Sequence, residues 1–206
     1  MIKEHLCEIV KFMESFAKDS AHDAEHIYRV LNHALILAEN YEVNMDILVA
    51  ACLLHDIGRP AQFADPSICH AKAGSKMAYQ FLKGLGWSEE NCRNVEHCVL
   101  THRFTKSSQP ETIEAKILFD ADKLDVIGAL GIARTLQYEG KTNATLNDFF
   151  AECNRKLTKL YDVFYTTQAR QLATGGKELL DKFCLGLRNQ LDTSAAEAYL
   201  ENNLSE

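Results

Sequence analysis

Proline is nearly missing from this chain: three occur among 206 residues, with ten glycines and a single tryptophan. With so few breakers and few alternating β-branched runs, the apolar periodicity is helical almost throughout, which excludes a strand-rich architecture and predicts an all-α helical bundle. No apolar run reaches the roughly 20 residues a bilayer-spanning helix needs, and residues 1–12 alternate charge with apolar side chains, unlike a secretory core. No membrane partner and a cytoplasmic location are therefore expected. The seven cysteines (Cys7, Cys52, Cys69, Cys92, Cys98, Cys153, Cys184) are odd in number and form no CxxC pair, against both a disulfide framework and a thiolate zinc site. Positive charge is short too: 22 Lys and Arg against 29 Asp and Glu leave a net charge of −7, which opposes a duplex nucleic-acid surface. A small anionic ligand stays open, because one cationic pocket or a metal ion overrides the average charge.

What is present is apolar helix. The hydrophobic content of 47% can fill one substantial core, and the length fits a single domain over residues 1–206. Residues 23–40 carry Ile27, Val30, Leu31, Ala34, Leu35 and Ala38 on one face, and residues 45–57 are apolar on nearly all sides, a central helix that stops at Gly58 and Pro60. A loop is expected over 61–68, a helix over about 71–83 ending in Gly84 and Gly86, and another from a Ser88 cap towards His102. After a polar loop over 106–110, a strongly apolar helix starts near Thr112 and carries Asp120, Asp122 and Asp125. Gly128 and Gly131 permit close packing, residues 146–165 and 177–191 read as two amphipathic helices around Thr174, Gly175 and Gly176, and Ser194 can cap a short last helix.

The chemistry stands where the apolar helices are interrupted. His55 and Asp56 end the most hydrophobic helix, where ionisable residues rarely sit unless paired or metal-bound. Neighbours on a helix point about 100° apart, so both reach one ion only at the helix end. Asp122 interrupts a second apolar helix; Asp125 shares its face approximately, while Asp120 lies about 200° of rotation away, so either Asp122 or Asp125 could converge on a site with the doublet. His26, near the start of a half-buried helix, completes the set. Imidazole and carboxylate ligands without thiolate suit manganese, iron, nickel or zinc and leave positions open for water and substrate, the requirement for generating a nucleophile from water and polarising a phosphoryl oxygen. His5 and His33 read as surface or helix-face residues, His97 as a surface or hydrogen-bonded ring, and Phe149, Phe150, Leu157, Leu160, Tyr161 and Phe164 as core or dimer contact.

The series His26, LLHDIGR over Leu53 to Arg59 and DADKLD over Asp120 to Asp125 resembles the HD-domain superfamily of metal-dependent phosphohydrolases. The resemblance spans roughly residues 20–134, which would form the motif-bearing core, with helices over 141–206 packing on it. It implies that His26, His55, Asp56 and Asp122 hold a divalent ion, manganese favoured, with nickel, iron, zinc or magnesium as alternatives. Asp122 is singled out by its Ala121–Asp122–Lys123–Leu124 context. The wider pattern SAHDAEHIYRV, His70, THR over Thr101 to Arg103 and LDVIGALGIAR resembles compact bacterial HD hydrolases, some of which are nucleotide pyrophosphohydrolases. That implies catalytic or phosphate-binding roles for Arg59, His70, His102 and Lys123, and substrate-side roles for His22, Asp23, Arg29, Asp125 and Arg134. Asp125 could equally orient a ligand imidazole. The doublet continues as Ile57, Gly58, Arg59, without the acidic pair of HD enzymes that hydrolyse guanosine tetraphosphate and without a Gly-Tyr-Pro signature, which disfavours alarmones and cyclic dinucleotides. His70 and His102 could still supply a second metal. The expectation is a hydrolase of a nucleotide phosphoester or phosphoanhydride, nucleoside triphosphate pyrophosphohydrolysis favoured, with a homodimer allowed. The alternatives are a non-catalytic metal- or nucleotide-binding sensory module and a cyclic-nucleotide phosphodiesterase.

Overall fold

The computed structural model describes residues 2–16, 18–19, 22–103, 108–139, 145–152 and 161–204, with backbone only for 18, 19, 22, 23, 138, 139 and 152. It is helical, as expected: α1 (Ile2–Glu14), α2 (Ala24–Ala38), α3 (Met45–Leu54), α4 (Arg59–Ala64), α5 (His70–Gly84), α6 (Glu89–Thr101), α7 (Ile113–Leu124), α8 (Gly128–Glu139), α9 (Leu146–Glu152), α10 (Thr167–Gln190) and α11 (Ser194–Asn203). Among the described residues the one departure is a two-residue antiparallel pair, β1 (Lys18–Asp19) and β2 (His22–Asp23), with Lys18 opposite Asp23.

The chain divides into two compact units, residues 1–125 with 163–172, and residues 126–162 with 173–206. In the first, α3 is central, packed on α1, α2, α6 and α7, and its Leu48, Ala50, Ala51, Cys52 and Leu54 are fully buried. A helix apolar on every side can only be satisfied there. Its start is fixed by Asn44, whose Oδ1 accepts from the N–H groups of Asp46 and Ile47 at 3.1 and 3.4 Å. Ser88 Oγ caps α6 in the same way, as the sequence suggests, and Thr112 Oγ1 caps α7. In the second unit Ile132, Phe149, Leu180 and Cys184 form a small core beside Phe150, Tyr161, Phe183 and Leu187.

Four expectations need correction. Of the helix expected over 146–165, α9 covers 146–152, residues 153–160 lie outside the described residues, and 161–165 are not helical. Residues 59–64 form a helix where a loop over 61–68 was expected, because Pro60 sits in the first turn, where a missing N–H costs nothing and the fixed φ suits a helix. Gly175 and Gly176 do not separate two helices but lie inside the continuous α10; Gly176 stays small because a Cβ there would come within 3.3 Å of the Cα of Gly128. The last helix is preceded by Thr193, and Ser194 is its first residue, its N–H donating to Asp192 Oδ1 at 3.0 Å.

Candidate metal centre

Four histidines and two aspartates from five helices and their ends meet inside the first unit. His55 and His102 are the residues that close α3 and α6, and each ring turns back on its own helix: Nδ1 donates to the carbonyl of Cys52 at 2.7 Å and of Val99 at 2.6 Å. These are carbonyls that a helix end leaves unpaired. His26 and His70 lie in the first turns of α2 and α5, where the loose backbone groups are N–H donors. Their Nδ1 atoms donate to side chains instead, Asp125 Oδ2 at 2.7 Å and Gln62 Oε1 at 2.8 Å. All four rings therefore carry their outer proton on Nδ1 and turn Nε2 inward.

The inward nitrogens surround Asp56. His26 Nε2 and His55 Nε2 are 3.4 Å apart and each 3.7 Å from Asp56 Oδ2; His70 Nε2 and His102 Nε2 are 3.3 Å apart and each 3.6 Å from Asp56 Oδ1. Asp122 Oδ1 lies 3.6 Å from His26 Nε2. Asp56 Oδ2 is buried and accepts no hydrogen bond among the described residues. Burial pushes the His55 imidazole down to about 4 and that of His70 down to about 2, so both rings are neutral at pH 7. Burial alone would raise both aspartates; His55 and Arg59 outweigh it at Asp56, and Lys123, then His55 and His26, at Asp122, leaving both well below the usual carboxylate range. Ring nitrogens 3.3 to 3.4 Å apart, those of His55 and His70 neutral, beside a buried carboxylate oxygen with no hydrogen bond among the described residues form a cluster of donor atoms that a cation can occupy. Ligand bonds of about 2.1 Å in tetrahedral or octahedral arrangement separate donors by roughly 3.0–3.4 Å, close to the spacings found here. The donor set is nitrogen and oxygen without thiolate and fits a divalent first-row ion. The donors group as two sets sharing Asp56: His26, His55 and Asp56, with Asp122 alongside, and Asp56, His70 and His102.

The other residues singled out in the sequence fall at different distances from this cluster. Arg59 Nε donates to Asp56 Oδ1 at 2.9 Å and its Nη1 to Gln62 Oε1 at 3.3 Å. Lys123, buried, donates to Asp122 Oδ2 at 2.6 Å and to the His102 carbonyl at 3.0 Å, which commits two of its three N–H bonds. Asp125 is fully buried behind His26 and held by Arg29, Nε to Oδ1 at 2.7 Å and Nη2 to Oδ2 at 3.3 Å, so these two stand behind the ring instead of in front of it. His22 and Asp23 are placed in β2, and their side chains lie outside the described residues. Arg134 is on α8, in the second unit. His97 Nε2 accepts from the Glu111 N–H, a hydrogen-bonded ring as expected, and His5 Nδ1 accepts from the Trp87 indole N–H. Gln62 was missed: its spacing three residues after Arg59 is visible in the sequence, but nothing there links it to His70.

The HD domain family model matches residues 23–127. The Bacillus subtilis protein YpgQ is 28% identical over 200 residues, 92% of this chain and 95% of that one. Its crystal structure in complex with ADP superposes with a TM-score of 0.71 at 28% identity, covering 91% of this chain and 98% of that one. An HD-superfamily hydrolase from Bacillus thuringiensis gives 0.73 at 29% identity, covering 94% and 100%. One from an uncultured Thermotogales bacterium gives 0.66 at 28%, covering 91% and 94%. Conserving the helical frame while a His-Asp doublet, a preceding His and a later Asp converge, this chain belongs to the HD-domain family and is a metal-dependent phosphohydrolase.

Proposed function

We propose that this chain hydrolyses a phosphoester or phosphoanhydride of a nucleotide, a nucleoside triphosphate cut to release pyrophosphate being the favoured substrate. The observation that carries this reading is the buried convergence of inward imidazole nitrogens on Asp56, whose Oδ2 accepts no hydrogen bond among the described residues. Nucleotide chemistry is supported by the ADP complex of YpgQ. His26, His55, Asp56 and Asp122 would hold the ion, with manganese favoured. When bound, it supplies Lewis acidity that draws charge from a phosphoryl oxygen and lowers the pKa of water.

The chain's own residues do the rest. Arg59 uses Nε and Nη1 on Asp56 and Gln62, which leaves Nη2 for a phosphate oxygen and fixes the guanidinium plane beside the cluster. Lys123 neutralises Asp122 and ties the end of α6 to α7, so Asp122 and His102 keep their places as charge builds. A second reading, favoured by the set Asp56, His70 and His102, is that these three residues would hold a second ion, the two rings then serving it instead of donating to phosphate.

The test is a phosphate and pyrophosphate release screen over a nucleotide panel with manganese, nickel, magnesium or chelator, beside His55→Ala and Asp122→Ala. Ion-dependent release is expected, falling by more than about 100-fold in both variants, beyond the 10- to 100-fold that loss of an outer partner costs. Release unchanged by chelator, or undiminished in either variant, overturns the proposal. Ion stoichiometry from the same preparation separates one ion from two.

A further inference from the structure

Resting on that reading, we infer that Gln62 is a positioning residue for His70: its amide oxygen holds the proton of that ring on Nδ1 and so keeps Nε2 bare towards His102 and Asp56. Two N–H donors converge on the same Gln62 atom, His70 Nδ1 at 2.8 Å and Arg59 Nη1 at 3.3 Å, and only the oxygen of an amide can accept both. The need for a side chain follows from the fold. His55 and His102 sit at helix ends rich in unpaired carbonyls and use them, whereas His70 opens α5, where the backbone groups a helix start leaves unpaired are N–H donors. His26 stands in the same situation and has Asp125. For His70 the acceptor comes from α4, half-buried and set in place by Pro60 in its first turn.

The same oxygen closes a circuit. Arg59 reaches Asp56 Oδ1 with Nε and Gln62 with Nη1, Gln62 holds His70, and His70 Nε2 returns to within 3.6 Å of Asp56 Oδ1. Gln62 thus orients one proposed ligand together with the Arg59 guanidinium proposed to meet phosphate. A neutral imidazole without an acceptor at Nδ1 prefers its proton on Nε2, which would turn an N–H towards His102 and remove a donor from the second set. Where a ligand imidazole has lost its outer partner, metal affinity falls about 10- to 100-fold, and a neutral amide belongs at the lower end.

Long-range 1H–15N spectra of the ion-free full chain read the tautomer directly, with the His70 ring identified by its loss in His70→Asn. Wild type and Gln62→Glu, which keeps an acceptor oxygen, are expected to show the proton on Nδ1; Gln62→Leu is expected to show it on Nε2 and to bind Mn2+ about 10-fold more weakly at the His70 set in calorimetric titration. A His70 ring that keeps its proton on Nδ1 in Gln62→Leu overturns the inference. A wild type that takes up no divalent ion, while the tautomer still shifts in Gln62→Leu, supports the positioning role and removes the hydrolytic reading instead.

Discussion

Cys52 lies within the helix that delivers His55 and Asp56, yet it donates no thiolate to the site: burial pushes its thiol far above the ordinary range, and Cys98 up to about 12. Cys69 behaves oppositely. Its partial burial would raise the thiol, but the Lys72 N–H and the Arg103 guanidinium hold it below its usual value. Titration of the native chain with an aromatic disulfide should therefore modify Cys7, which is exposed, and Cys69 quickly, leaving Cys52 and Cys98 untouched until denaturant is added. Rapid native labelling of Cys52 would contradict the burial described. At this scale the sequence is legible wherever a polar residue interrupts an apolar run: His55, Asp56 and Asp122 stand out because an unpartnered charge in a core is costly. Gln62 interrupts nothing, and its importance comes only from a ring eight residues away.

Elements bring these residues together through a close approach. Gly58 follows the doublet and faces Gly74 of α5; a Cβ there would lie 2.1 Å from the His70 carbonyl oxygen and 2.6 Å from the Gly74 nitrogen. Its φ of −82° suits any residue, so the requirement is space and not backbone freedom. Gly58→Ala must push α5 away and carry His70 with it. The expected cost is about 1–3 kcal/mol in urea unfolding, the range for overpacking, with weakened ion binding at the His70 set. Unfolding and ion uptake matching wild type would show that the contact can relax. Capping at Ser88 was readable because a hydroxyl before an acidic first turn is a local signal. The short α4 was not: Pro60 stops one helix and starts another with equal ease, and only the neighbours of the turn decide.

Over the whole molecule, the chain returns to the first unit at residues 163–172. Asp120, the acid that helical geometry sets away from Asp122, holds this return: its carboxylate accepts from Tyr165 N at 2.9 Å, Thr166 N at 2.7 Å and Thr166 Oγ1 at 2.6 Å. Arg170 adds two bonds to the Phe164 carbonyl. Asp120→Ala strands these buried donors and should cost about 3 kcal/mol of unfolding free energy, with new protease cleavage near residues 161–172. A loss below about 0.5 kcal/mol, with an unchanged digest, would show that the return is held by apolar packing alone.

The sequence by itself determined the helical class, the central place of α3 and the three sites where ionisable groups break apolar helices, because periodicity and burial are properties of local pattern. Tertiary structure decided which of those groups face one another. Asp120, Asp122 and Asp125 share six residues of sequence and serve three ends: a chain return, the cluster, and the back of His26. Their directions follow from helix rotation, but what meets each carboxylate is set by segments about 45 and 99 residues distant, and no local signal carries that information.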